Sequence, residues 1–155
     1  MEKADLITRF LAALIDGMVV GILTLVPLVG LLAAAVYMLT KDGIVYELTK
    51  NQEFEGRSIG KRILGLKVVR LDNMEMDIST SARRNLTLGL GSLIALVPII
   101  GWILGVIIGA IMNIVEMLFV LMDSEGRRLG DKWAGTQVVV ASVQMAEQEG
   151  TIIDV

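Results

Sequence analysis

The 155-residue chain contains no cysteine and no histidine. Disulfides, thiolate nucleophiles, imidazole acid–base chemistry and the common zinc and haem sites are therefore excluded. Ser58, Ser79 and Ser81 have no histidine to activate them, and neither a nucleophile–base arrangement nor a cofactor fingerprint is visible, so the chain is not expected to be an enzyme or to need a cofactor or metal. Charge is missing from two long stretches. Residues 10–40 hold a single charged side chain, Asp16, and residues 85–122 hold a single one, Glu116. Proline occurs only at Pro27 and Pro98, one in each stretch.

Hydrophobic residues make up 54% of the chain and mean hydropathy is +0.69, outside the range of an ordinary soluble domain. The two uncharged blocks therefore read as membrane-embedded. The first is far longer than a signal core, and Glu2 and Asp5 precede it, so it is expected to be retained. Formal net charge is only −3, which says little about partners; the lipid bilayer is the expected one, and nucleic acid is not.

Each block is too long for one simple crossing. Residues 10–40 would make a helix of roughly 46 Å, against a hydrocarbon core of about 30 Å. Each block carries the same interruption, Leu25-Val26-Pro27-Leu28-Val29-Gly30 and Leu96-Val97-Pro98-Ile99-Ile100-Gly101, and proline followed three residues later by glycine is turn chemistry. The pattern predicts helices near 6–26, 28–48, 82–97 and 100–122. All fourteen Lys and Arg lie in 1–9, 41–84 or 127–132, away from both proline turns. Four spans put every one of them on one side, expected to be the cytoplasm; two long kinked spans would split them. The second helix is expected to run on to Leu48, with Lys41 snorkelling and Tyr46 at headgroup depth. The third is expected to start at Ser81 as N-cap, with Arg83 and Arg84 at the membrane surface. Gly101, Gly105 and Gly109 on the fourth span, and Gly17 with Gly21 on the first, have the four-residue spacing of close helix contacts.

Outside the apolar blocks, GRSIGKRILGLKVV at 56–69 returns as GRRLGDKWAGTQVV at 126–139. Hairpin followed by GRxxGxxxxGxxVV thus occurs twice in one orientation, as a parallel internal repeat requires. Residues 66–71 and 74–78 read as a strand pair around the Asp72-Asn73 turn, and 136–143 as a further strand. Asp72–Asp77 lacks the glycine of a calcium loop. The first motif copy is no phosphate loop, because three residues rather than four separate its glycines and Arg62 stands where Ser or Thr must reach magnesium. Its basic residues read instead as a lipid-facing cytoplasmic surface made by Arg57, Lys61, Arg62, Arg83, Arg84 and Arg127. Lys61 becomes Asp131 in the second copy. A pseudo-twofold axis would bring these opposite charges together, with Arg57, Arg62, Arg127 and Arg128 as further partners for Asp131. Asn85-Leu86-Thr87 is a sequon on the expected cytoplasmic side, where it is inert.

The fold these patterns predict is an all-α transmembrane protein, a four-helix membrane bundle built from two parallel-repeat helical hairpins with short cytoplasmic β-strands after each hairpin. Residues 1–145 form one membrane domain, with repeats at about 6–71 and 82–143, and 146–155 is a solvated tail. Both termini are expected on the cytoplasmic side of the cell inner membrane. Four helices enclose little, so a homo-oligomer is expected.

An arginine entering the first span, an aspartate within it, the central G-x-S-x-G-K-R-x-x-G-x-x-V-V and the closing R-x-G-D-x-x-A-G-T-x-V-V resemble the RDD family of integral membrane proteins, from Arg9 to Val139. The resemblance implies that Arg9 is the family arginine, Asp16 the first aspartate and Asp131 the second, with Asp123 as the alternative for the last. It also implies transport, with sodium/proton exchange among the activities linked to the family. From the residues alone, Asp16, Asn113 and Glu116 are the candidate ion- or proton-binding set, an oxygen-rich cluster suited to Na+, K+ or H+ with Arg9 as a tuning charge. Two alternatives stand beside this. The carboxyls could lock helices together, or the protein could be a non-transporting module that binds anionic lipid or a partner through its basic surface.

Overall fold

A computed structural model describes residues 3–27 and 29–141. The expected tail at 146–155 and the end of the second repeat at 142–143 lie outside the described residues. In chain order the elements are α1 (Leu6–Thr24), α2 (Gly30–Thr40), α3 (Ile44–Thr49), a 3-10 turn (Gln52–Phe54), α4 (Ile59–Ile63), β1 (Leu66–Arg70), α5 (Ile78–Ile94), α6 (Ile100–Met122), α7 (Leu129–Ala134) and β2 (Thr136–Val140). The chain is mostly helical, with one small antiparallel sheet. Among the described residues two helices, α1 and α6, are long and apolar enough to cross a membrane.

Both apolar blocks break at their prolines. Pro has no N–H and disfavours helix in the residue before it, and its own carbonyl closes a tight turn: Val29 N–H donates to Pro27 O and Ile100 N–H to Pro98 O, each at 2.8 Å. Ile99, between the latter pair, has φ 65° and ψ −75°, a γ-turn geometry that costs a β-branched residue strain. At the other end of the hairpins, Asp5 caps α1 by accepting from Ile7 N–H at 3.0 Å, and Asp77 caps α5 by accepting from Thr80 N–H at 2.6 Å.

Three expectations are corrected here. The second helix stops at Thr40, and Lys41 turns inward (3% exposed) instead of snorkelling, because its ammonium finds the Asp16 carboxylate at 3.2 Å. Ser81 is not the N-cap of α5. Asp77 takes that role one turn earlier, and Ser81 lies inside the helix, accepting from Asp42 N–H at 3.2 Å. Residues 74–78 form no strand; β1 instead pairs with β2, antiparallel, from Leu66 opposite Val140 to Arg70 opposite Thr136. In that register Val68 faces Val138, its own counterpart in the repeat. The pairing therefore maps onto itself when the two copies are exchanged, and a twofold axis passes between these valines.

The motif glycines repeat their geometry as well as their letters. Gly56 and Gly126 have φ of 66° and 65°, and Gly65 and Gly135 have 66° and 62°, the left-handed region that glycine enters without penalty. The middle glycines serve close approach: a Cβ on Gly60 would sit 2.1 Å from Ala12 O, and one on Gly130 2.0 Å from Arg84 O. Helix α4 thus lies on α1 as α7 lies on α5. On the fourth helix, Gly105 meets Gly91 backbone as the spacing predicts, whereas a Cβ on Gly17 or Gly21 would meet nothing within 4 Å.

The four longer helices contact one another in sequence order, α1 on α2, α2 on α5 and α5 on α6, while α1 and α6 barely meet. Large apolar side chains such as Ile7, Met18, Ile22, Ile103 and Val106 point outward, and Asp16, Asp42, Arg84, Asn85, Glu116 and Asp131 are buried. That distribution is the reverse of a soluble protein's.

Candidate functional site

The charged ends of the hairpins meet in one layer: the start of α1, the end of α2, the start of α5, the end of α6 and the short helices α4 and α7. Arg84 is its centre, 0% exposed. Its Nη1 donates to Asp42 Oδ2 at 2.6 Å and its Nη2 to Asp131 Oδ1 at 2.5 Å, with Nε on the same Asp131 oxygen at 3.0 Å. Lys61 reaches the other Asp42 oxygen at 2.5 Å. A line of alternating charge results, Lys61–Asp42–Arg84–Asp131, extended by Arg9 to Asp131 Oδ2 at 3.2 Å and by Arg128 to Oδ1 at 3.4 Å. The symmetry argument made Lys61 and Asp131 direct partners; instead they stand two side chains apart because Asp42 and Arg84 occupy the space between, and of the four arginines expected beside Asp131, Arg128 alone pairs with it. Burial alone would raise the Asp131 carboxyl, but Arg84, Arg128 and Arg9 outweigh it and hold it well below the usual carboxylate range. Burial pushes the Lys61 ammonium down to about 8 against the pull of Asp42, leaving it charged at neutral pH.

The carboxyls of the two long apolar helices, Asp16 on α1 and Glu116 on α6, are each tied to a motif glycine. Asp16 accepts from Gly60 N–H at 2.9 Å and from Ser58 Oγ at 2.7 Å, and lies 3.2 Å from Lys41. Tyr37 donates to it at 3.3 Å. Glu116 Oε1 accepts from Gly130 N–H at 3.2 Å and from Thr87 Oγ1. Its Oε2 is buried without a hydrogen-bond partner. Between α1 and α6 lies a cleft of about 290 Å³ whose lining includes Asp16, Lys41, Lys61, Asn113 and Glu116.

The cleft thus gathers the three residues singled out from sequence, but in different states. Asp16 is fully engaged, Asn113 is exposed and donates to Gly109 O on its own helix at 2.8 Å, and Glu116 alone keeps an unpartnered oxygen. Among the described residues no group of three acidic side chains converges as a metal site would require. Arg9 pairs with Asp131 instead of Asp16. Asp123, the alternative second aspartate, binds Lys132 at 2.8 Å and Arg127 near the surface.

The chain matches the RDD family over residues 3–135. It belongs to that family. No curated protein and no solved structure matches it. In this RDD protein Arg9 and Asp131 meet directly, and Asp16 anchors the motif copy of its own half through Ser58 and Gly60. The expected basic surface is largely dispersed: Arg84 and Lys61 are buried in the charged layer, Arg57 and Arg127 are half-buried, and Arg62 is paired with Glu53. Of the six, Arg62 and Arg83 remain exposed. Lys61 and Arg84 are tolerated inside because each finds a carboxylate there that offsets its desolvation. Sequence reasoning missed Asp42 and Lys41 as interior groups. The available signal was their position at the end of an apolar run, directly before the helix-breaking Gly43.

Proposed function

We propose that this RDD protein crosses the membrane four times, through α1, α2, α5 and α6, and carries protons on Glu116 in exchange for a cation such as Na+ or K+ along the cleft between α1 and α6. The charged layer lies at the cytoplasmic face of the inner membrane, where the positive-inside rule places it. The observation that carries the reading is the unpartnered, buried Oε2 of Glu116 at an open cleft. A proton carrier must release and regain its proton without a fixed cation competing for the site; Asp16, Asp42 and Asp131 each hold a Lys or Arg, and Glu116 holds only neutral donors. Asn113, one turn along α6, lines the exit path, and Arg9 supplies a positive field at the cytoplasmic mouth. Two such copies packed side by side would shield the exposed apolar faces of α1 and α6.

The test is cation-driven proton flux in proteoliposomes. Glu116→Gln removes the proposed proton carrier and lowers flux by about a hundredfold or more, as losing a positioned acid–base group does. Asn113→Ala lowers it less. Absence of flux from the wild type under Na+ and K+ gradients, or full flux in Glu116→Gln, rejects the reading.

A further inference from the structure

We propose that the cleft between α1 and α6 holds one anionic phospholipid drawn from the bilayer, its phosphate on the ammonium groups of Lys41 and Lys61 and part of an acyl chain along the apolar walls. Three observations carry this. The charged layer is not balanced: Arg9, Lys41, Lys61, Arg84 and Arg128 face Asp16, Asp42, Glu116 and Asp131, five positive groups against four negative. A surplus positive charge in a low-dielectric site favours one further anion. The surplus has donors to offer, since an ammonium carries three N–H groups. Lys41 has Asp16 as its ionic partner and Lys61 has Asp42, and both line the cleft with side chains only 4% and 10% exposed. The opening is apolar: Phe10 on α1 and Ile114 and Met117 on α6 form its exposed lips.

That geometry selects a lipid over a soluble anion. With α1 and α6 as membrane spans, the lips face acyl chains, and a headgroup can slide between them while its tail stays in hydrocarbon. At about 290 Å³ the cleft has room for a phosphate and a stretch of chain. The proposal rests on the four-span arrangement and not on the proton step.

The experiment is native mass spectrometry of the full chain released from vesicles of equimolar phosphatidylglycerol and phosphatidylcholine. One phosphatidylglycerol is expected per chain, retained about thirtyfold over phosphatidylcholine, as two lysines on one phosphate imply. Lys61→Gln reduces the preference, and Met117→Trp, which fills the cleft without touching a charge, removes the bound lipid. Ile103→Trp, an outward-facing change of equal size, leaves it. Equal retention of the two lipids, or equal losses in Met117→Trp and Ile103→Trp, overturns the proposal. So does displacement by millimolar glycerol phosphate, which would mean a soluble anion site. Flux measured on the same preparation separates the two readings: selective retention without flux upholds this one while rejecting transport, and flux without selective retention rejects this one.

Discussion

Arg84 serves two buried carboxylates through three nitrogens, a task that only a guanidinium's fixed fork can perform. Arg84→Met leaves Asp42 and Asp131 facing each other's charge, and breaking a buried pair in this way costs about 3–5 kcal/mol; Arg84→Lys should recover only part of it, read as thermal unfolding in detergent. The acid limb follows from Asp131. Its folded pKa lies below the 3.8 of the free side chain, so the stabilisation is fully present above that value and fades as pH falls through the folded one. The unfolding temperature is therefore expected to hold from pH 7 down to about 5 and to drop below about 4. Loss already near pH 6 would mean that another group governs. At Ile99, replacing the isoleucine by glycine removes a strain of about 1–3 kcal/mol and gives back part of it in chain entropy. A small rise in stability is expected, and a clear fall would show that the turn is not as described.

At the scale of elements, the motif glycines were legible as a repeat in the sequence, but their division of labour was not. Spacing alone cannot say that Gly60 and Gly130 are the contact positions while Gly56, Gly65 and their counterparts bend the chain. Gly60→Ala and Gly130→Ala force α4 off α1 and α7 off α5, and overpacking of this kind costs about 1–3 kcal/mol or more. Both lose a carboxylate contact at the same time, so Gly130→Ala is expected to reduce flux through Glu116 as well as stability. The strands show why local reading fails: 66–71 and 74–78 look like a hairpin, yet β1 joins β2, whose Thr136, Val138, Val139 and Val140 are β-branched where 74–78 offers only Ile78. The charged layer was hidden for a related reason. Sequence distance places Asp42 and Arg84 far apart, and nothing short of the folded hairpins brings them into line.

For the whole molecule, the proline turns carried most of what could be foreseen, because they follow from backbone chemistry without knowledge of packing. The absence of native cysteine makes the arrangement directly testable. Single cysteines at Asn51 and Val97 are expected to label from opposite sides of the membrane, Asn51 from the side of the termini. Labelling of both from one side would reduce the protein to its two long spans, α1 and α6, and remove the site between them.

Because Val68 lies against Val138, each half of the chain presents the other with the same edge that it receives. Covalent continuity through the exposed residues 71–75 then adds mainly proximity. Two fragments cut there and made together in one cell should find each other and rebuild the ribbon, as two separate chains would that present the same edge.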